Sequence, residues 1–144
     1  NEQKKVLFSK VINQFGEDLK GLKLTVWGLS FKPETDDMRE APSITLIKSL
    51  IKSGAEVNAY DPQAIKEAKF YLKGLDINYF KNKYDALVDS DAVILVTEWK
   101  EFRSPDFIRM LELMKGNVFI DGRNQFNKEF MLSNGFNYLQ IGVK

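Results

Sequence analysis

The chain has 144 residues, of which 21 are lysine or arginine and 20 are aspartate or glutamate, so its formal net charge is +1. It contains neither cysteine nor histidine, which excludes disulfides, thiol nucleophiles, zinc sites built on those residues and histidine acid–base chemistry. The balanced charge argues against nucleic acid and anionic membranes as partners, and the length and composition predict one folded domain in the cytoplasm.

The first part of the chain alternates helical and strand patterns. Apolar residues recur every three or four positions from Phe8 to Leu19, which predicts a helix. The run KLTVWG at 23–28 predicts the first strand. After a polar loop, a second amphipathic pattern over 44–51 predicts a helix that ends near Gly54.

The remaining elements continue this alternation. Further strands are predicted at 55–62, 77–80, 92–97, 117–122 and 138–142. Further helices are predicted at 64–70, 83–88 and 128–133, and another is predicted to start with Ser104 as N-cap and Pro105 at the first helical position. In that helix the periodicity predicts that Phe107, Ile108 and Leu111 are core residues.

Strands that are mostly apolar throughout and alternate with helices predict an α/β fold. We expect a single-domain, doubly wound, Rossmann-like parallel sheet of about six strands with helices on both faces. With the strand order 3-2-1-4-5-6, a crevice opens between strands one and four at their carboxyl ends. The loops at 28–42, 97–102 and 121–124 would line this crevice.

The first of these loops lacks the usual dinucleotide-binding glycines. That fingerprint reads G-x-G-x-x-G, because its glycines let the backbone approach a pyrophosphate. Here only Gly28 precedes a long polar loop. The sequence therefore predicts a nucleotide-binding type of fold without the dinucleotide fingerprint.

Three basic residues of the crevice loops are candidates for binding an anion. Lys32 has a long side chain on a backbone restrained by Pro33. Arg39 and Arg123 could each make two parallel hydrogen bonds to a phosphate or carboxylate. The alternatives are a solvated Lys32 and internal salt bridges for the arginines; for Arg39 the partner would be a neighbouring carboxylate at 36, 37 or 40.

Other polar and aromatic residues of these loops have two interpretations each. Asp36 and Asp37 could be an acid–base pair or metal ligands, but turns closed by their side chains are favoured. Asp61 lies where an acid that binds a ribose would lie, or it shapes the turn before Pro62. Trp99 could be a stacking platform or an interface aromatic.

Three ordered motifs resemble those of a known family. They are GLSFKPETDDMREAP at 28–42 with YDP at 60–62, VILVTEWKEF at 93–102, and FIDGRN at 119–124. Together they resemble the C-terminal, UDP-binding domain of the UDP-glucose/GDP-mannose dehydrogenase family, and the resemblance extends from about Leu19 onward.

The resemblance implies a function and a set of site residues. Members of that family oxidise the C6 hydroxyl of a nucleotide sugar with two NAD, through a thiohemiacetal on a cysteine. Phe31, Lys32 and Arg123 would bind the UDP-sugar, and Arg39 would reach NAD held mainly by an N-terminal domain. No catalytic residue and no metal site is expected in this chain. UDP-glucose is the expected substrate; a UDP-N-acetyl sugar, GDP-mannose, or a stand-alone nucleotide- or anion-binding regulatory module are alternatives.

The resemblance also implies that the chain is a piece of a longer enzyme. Residues 1–20 would continue a helix from a missing central region, and residues 21–144 would form the UDP-sugar-binding domain. Without the NAD domain and the cysteine, the chain should not perform the oxidation alone. The full-length enzyme would be a homodimer or a higher oligomer. We expect some self-association of the chain through Phe8, Val11 and Phe15.

Overall fold

Six parallel strands form one sheet in the computed structural model, which describes residues 2–142. The strands are β1 (Lys23–Trp27), β2 (Glu56–Tyr60), β3 (Ile77–Tyr79), β4 (Ala92–Leu95), β5 (Val118–Asp121) and β6 (Asn137–Gln140). The helices are α1 (Glu2–Phe15), α2 (Pro42–Lys52), α3 (Ile65–Tyr71), α4 (Phe107–Leu113) and α5 (Lys128–Ser133). The predicted alternation of strands and helices is confirmed.

The sheet has the order β3-β2-β1-β4-β5-β6, which confirms the predicted doubly wound topology. Val26 in β1 lies beside Ala59 of β2 on one side and Ile94 of β4 on the other. The chain order reverses direction between β1 and β4. The carboxyl ends of these two strands therefore form the switch point at which such folds bind ligands.

Each face of the sheet is covered by its own apolar core. Leu24 and Val26 of β1 belong to the core formed with α1, α2 and α3, whereas Trp27 belongs to the core formed with α4 and α5. The Trp27 ring stacks on Phe102 with 4.7 Å between ring centroids. This alternation of side chains explains why the strands are apolar on both faces.

Helix α1 is part of the first core. Leu7 and Val11 are fully buried, while Phe8 and Phe15 are half-buried. The helix packs on α2 and contacts β5. The prediction that Val11 mediates self-association is therefore wrong, because this side chain is already used inside the fold.

Three local predictions are corrected by the structure. Residues 83–88 contain only a turn of 3₁₀ helix, Asp85–Leu87. Helix α4 starts later than expected: Asp106, not Ser104, is its N-cap and accepts a hydrogen bond from the Arg109 amide at 3.0 Å. In this helix Ile108 is 71% exposed rather than buried.

Candidate functional site

The crevice is built around the close approach of the chain after β1 to the chain after β4. Gly28 adopts φ +92° and its amide donates to the carbonyl of Tyr60 at 2.8 Å. A Cβ atom at Gly28 would lie 2.6 Å from the backbone nitrogen of Thr97. Only glycine fits here, because the position combines a left-handed backbone with no space for a side chain.

The loop after β1 is folded back on itself. The amide of Phe31 donates to the carbonyl of Asp37 at 2.7 Å, and the Ser30 hydroxyl donates to the carbonyl of Lys32 at 2.9 Å. Glu34 and Glu40 have positive φ angles of 66° and 59°, which non-glycine residues rarely adopt. The loop thus has a defined, partly strained shape that presents residues 31 and 32 outward.

Asp61 is buried at the end of β2 and holds the adjoining loops together. Its carboxylate oxygens accept hydrogen bonds of 2.7–3.3 Å from the amides of Leu29, Ser30, Gln63 and Ala64, the Ser30 hydroxyl and the Trp99 indole N–H. The interpretation of Asp61 as a turn-shaping residue is confirmed, since these donors occupy its oxygens.

Trp99 is only 5% exposed, so both interpretations of it, as a stacking platform and as an interface aromatic, are wrong.

Asp121, at the end of β5, holds the loop that follows β5 in place. This buried carboxylate accepts from the amides of Arg123, Gln125 and Phe126 at 2.8–3.1 Å and from the Tyr138 hydroxyl at 2.5 Å. Burial, together with the hydrogen bond to Asp121, raises the pKa of Tyr138 above its usual value. Tyr138 is therefore a neutral donor at physiological pH.

Side-chain contacts connect the three crevice loops in series. The Thr97 hydroxyl donates to the carbonyl of Ser30 at 2.6 Å, which joins the loops after β4 and β1. The next residue, Glu98, accepts a hydrogen bond from Nε of Arg123 in the loop after β5. The segments that carry Lys32 and Arg123 are thus linked through Thr97 and Glu98.

The three candidate cations differ in their surroundings. Lys32 is exposed, and no carboxylate among the side chains described at residues 5–142 forms an ion pair with it. Arg39 forms two parallel hydrogen bonds to Asp37, at 3.1 Å from Nε and 3.0 Å from Nη2. These hydrogen bonds lower the pKa of Asp37 and raise that of Arg39. The salt-bridge alternative is confirmed for Arg39 with Asp37 and for Arg123 with Glu98, which leaves the roles of both arginines in ligand binding predictions.

Phe31 is 50% exposed beside Lys32. An aromatic ring of this kind is available to pack on a base or a sugar. Arg123, in the loop after β5, has a side chain that is 36% exposed. Phe31, Lys32 and Arg123 therefore all present accessible atoms at the carboxyl edge of the sheet.

Two classes of site find no support in the described part of the chain. Within residues 2–142 no group of three or more carboxylates is arranged to hold a metal ion. Asp37 instead accepts from the amide of Arg39 at 2.9 Å, the turn-closing role predicted for it. Over the same residues, no helix has the length and apolar character needed to cross a membrane.

Comparison with known proteins decides the family. Residues 25–128 match the sequence model of the UDP-glucose/GDP-mannose dehydrogenase family, UDP binding domain. The chain belongs to this family. The matched range includes the loops after β1, β4 and β5, so the resemblance seen in the three motifs is confirmed.

Relatives and solved structures agree with this assignment. The chain is 39% identical over 142 residues to UDP-glucose 6-dehydrogenase of Rhizobium meliloti (strain 1021), covering 99% of this chain and 32% of that protein. It is 40% identical over 143 residues to UDP-glucose 6-dehydrogenase TuaD of Bacillus subtilis (strain 168), and the match covers 99% of this chain and 31% of that protein. A structure of a UDP-glucose dehydrogenase from Pyrobaculum islandicum matches with a TM-score of 0.76 and 27% identity. The match covers 96% of this chain and 29% of that protein. The chain spans about a third of the length of these relatives.

Three residues that shape the crevice lie in its predicted loops, but the sequence did not identify them as candidate site residues. The motifs did not single out Thr97, Glu98 or Asp121, although each lies at or just after the end of an apolar strand. Polar residues at the carboxyl ends of parallel strands are the expected positions for site residues. The sequence therefore shows that these three residues follow strands, but it does not show which residues they contact.

Proposed function

We propose that this chain is the C-terminal, substrate-binding domain of a dehydrogenase that oxidises UDP-glucose to UDP-glucuronate with two NAD. In this proposal the domain forms one side of the UDP-sugar site. The observation that carries it is the pair of accessible cations, Lys32 and Arg123, on crevice loops linked by hydrogen bonds in a chain that belongs to this family. The dehydrogenase names of the relatives support the reaction class.

Each site residue has a proposed task. Lys32 supplies a point charge to the diphosphate, and Arg123 supplies two N–H donors in a fixed plane, which suits phosphate oxygens. Phe31 packs on the base or the sugar. These roles are chemically matched to a UDP-sugar, which combines two negative groups with flat and apolar surfaces.

NAD would be bound mainly by another part of the enzyme. The loop after Gly28 has no dinucleotide fingerprint, and the sequence contains no cysteine to form the covalent intermediate. This chain would contribute Arg39, whose side chain is 80% exposed and uses its Nε and Nη2 for Asp37. The remaining Nη1 is the atom that fits a contact to an anionic cofactor. We therefore expect no turnover from the chain alone.

The proposed division of the chain into two parts also rests on its membership of this family. Residues 1–20 would be the end of a central helical region, and residues 21–144 the UDP-sugar-binding domain. The packing of α1 on α2 is consistent with a rigid connection between the two. We further propose that the intact enzyme is a homodimer or a higher oligomer.

Titration of the isotopically labelled chain with UDP-glucose, GDP-mannose, a UDP-N-acetyl sugar and NAD tests the proposal. Backbone amide shifts in NMR spectra are expected at Lys32 and Arg123 with the UDP-sugars. Lys32→Ala and Arg123→Ala should each weaken binding about tenfold or more, since a hydrogen bond to a charged group contributes roughly 1.5–3 kcal/mol.

Lys115→Ala is the matched control, because Lys115 is an exposed lysine beside the amino ends of the strands. It should bind like the unaltered chain. Larger shifts with GDP-mannose than with the UDP-sugars would favour a different base, and shifts with any small anion would favour the regulatory module. Normal UDP-glucose binding by both alanine variants would contradict the proposed site.

A further inference from the structure

Glu98 and Arg123 form an ion pair between the loops after β4 and β5. Glu98 follows Thr97 in the loop after β4, and its carboxylate accepts a hydrogen bond from Nε of Arg123. The Glu98 side chain is 26% exposed and that of Arg123 36% exposed. Glu98 is thus partly shielded from solvent, whereas the Arg123 side chain stays accessible to a ligand.

Both members of the pair stand on anchored backbone. On one side, the Thr97 hydroxyl donates to Ser30, and the Trp99 amide donates to the carbonyl of Thr97 at 3.0 Å. On the other side, the amide of Gly122 donates to Leu95 at 2.8 Å, and the amide of Arg123 donates to Asp121 at 3.0 Å. The carboxylate therefore meets the guanidinium from a fixed position.

The pattern of donors distinguishes the two arginines of the crevice. Arg39 gives both Nε and Nη2 to Asp37. Arg123 gives only Nε to Glu98, and neither Nη1 nor Nη2 has a hydrogen-bond acceptor among the side chains of residues 5–142 or the backbone of 2–142. Because the guanidinium is planar and carries five N–H donors, holding it at Nε orients the remaining four. Those four can serve an anionic ligand.

We propose that Glu98 is the positioning residue for Arg123 in the UDP site. The inference rests on the proposed function and adds a residue to it. Glu98 does not touch the ligand; it restricts the Arg123 side chain to the orientation in which the Nη1 and Nη2 donors are available to the diphosphate. An unrestrained arginine would lose rotamer freedom on binding, and that loss lowers affinity.

The negative charge of Glu98 gives the proposal a sharp test. A carboxylate near a diphosphate repels it, so if Glu98 only opposed the ligand, the unaltered chain would bind UDP less well than either neutral replacement. A positioning residue behaves differently: glutamine keeps an oxygen that accepts from Nε, whereas alanine does not. We expect Glu98→Gln to bind UDP within about twofold of the unaltered chain or tighter, and Glu98→Ala to bind about tenfold more weakly.

The experiment is an NMR titration of the 144-residue chain and its variants with UDP. The Arg123 Nε–H signal is followed in the absence of ligand, because its exchange rate reports whether Nε is hydrogen-bonded to residue 98. It should be protected from solvent exchange in the unaltered chain and in Glu98→Gln, and exchange fast in Glu98→Ala. The affinity for UDP, compared between Glu98→Ala and Glu98→Gln, is the readout that a merely structural role would leave unchanged. Thermal unfolding of each variant separates loss of affinity from loss of stability.

Arg123→Ala separates the proposed function from the positioning role. If it binds UDP as well as the unaltered chain, or if the unaltered chain shows no binding, the proposed function fails and this inference fails with it. If Arg123→Ala weakens binding but Glu98→Ala does not, only the positioning role is overturned. Tighter binding by both Glu98→Ala and Glu98→Gln would likewise overturn it, because Glu98 would then be only an opposing charge.

Discussion

Two buried aspartates at the carboxyl edge of the sheet organise the crevice through the loops that follow them. Asp61 and Asp121 lie at the ends of β2 and β5, and each is surrounded by backbone N–H groups of the loop that follows. A buried carboxylate is costly unless hydrogen-bonded, and these donors offset that cost. The candidate ligand-binding groups, in contrast, are cations held on the loops that the aspartates anchor.

At the same scale, Asp37 should titrate below its usual range. The side-chain hydrogen bond from Arg39 lowers the Asp37 pKa from 3.8, with a smaller contribution from the charge of Lys32. Because the folded-state pKa is depressed, the stabilisation is present above pH 3.8 and is lost as the pH falls through the folded-state pKa. A ¹³C NMR titration of the Asp37 carboxyl should give a midpoint below 3.8.

Two variants grade this effect. Arg39→Ala should raise the midpoint back towards the ordinary value, and Lys32→Ala should raise it less. An Asp37 midpoint that Arg39→Ala leaves unchanged would show that the ion pair does not persist in solution.

At the scale of elements, the crevice depends on how strands and helices end. The chain turns out of β1 at Gly28, where it meets the segment after β4. Helix α4 starts at Asp106, whose amide also donates to the Tyr84 hydroxyl at 2.8 Å. These end points set the lengths and directions of the loops that carry the candidate site.

Gly28→Ala should destabilise the fold far more than Gly74→Ala, although both glycines have a left-handed backbone. Gly74 has φ +89° and space for a methyl group, with nothing within 4 Å of it, whereas a methyl group at Gly28 would meet Thr97 at 2.6 Å. Gly74→Ala should cost about 1–2 kcal/mol for the left-handed backbone alone. Gly28→Ala should cost a further ~1–3 kcal/mol for the clash, measured by urea unfolding. Equal losses in the two variants would mean that the two loops can separate without penalty.

The N-cap of α4 provides a second comparison of this kind. Asp106→Ala removes the side chain that accepts from Arg109 and should cost about 1 kcal/mol in the free energy of unfolding. Ser104→Ala is the control: Ser104 is exposed and does not cap the helix, so its replacement should change stability by less than about 0.5 kcal/mol. A larger loss of stability in Ser104→Ala than in Asp106→Ala would indicate that Ser104 is the N-cap.

At the scale of the whole molecule, α1 joins the fold rather than extending from it. Two cores cover the sheet, and Leu7 and Val11 of α1 lie in the first of them. The Leu7 side chain also lies close to Gly122, since a Cβ atom there would be 2.9 Å from it. Helix α1 thus supports the loop that carries Arg123.

Leu7→Ala should therefore destabilise the whole chain. Removing a fully buried leucine costs about 2–5 kcal/mol, and urea unfolding followed by tryptophan fluorescence should report that loss in one transition. Leu132→Ala, at a leucine that is 48% exposed, should cost less than about 1.5 kcal/mol. If Leu7→Ala were as mild as Leu132→Ala, residues 1–20 would be an appendage rather than part of the core.

The sequence by itself determined the order of the elements, the strand order and the family. Apolar periodicity and the helix and strand boundary residues are local signals, so they predict elements such as β4 and α5 from a few adjacent positions. The alternation of strands and helices then restricts the topology, because parallel crossovers are right-handed. The positions of Lys32 and Arg123 at one edge of the sheet follow from that topology.

Only the tertiary structure decided which of those residues are paired and which are accessible. Trp99 is buried and donates a hydrogen bond to Asp61, and Glu98 meets Arg123 across two loops. Ile108 is exposed because α4 begins at Phe107 and turns Met110 to the core instead. These outcomes depend on contacts between residues far apart in the chain, which periodicity does not encode, because it describes one segment and not the neighbour against which that segment packs.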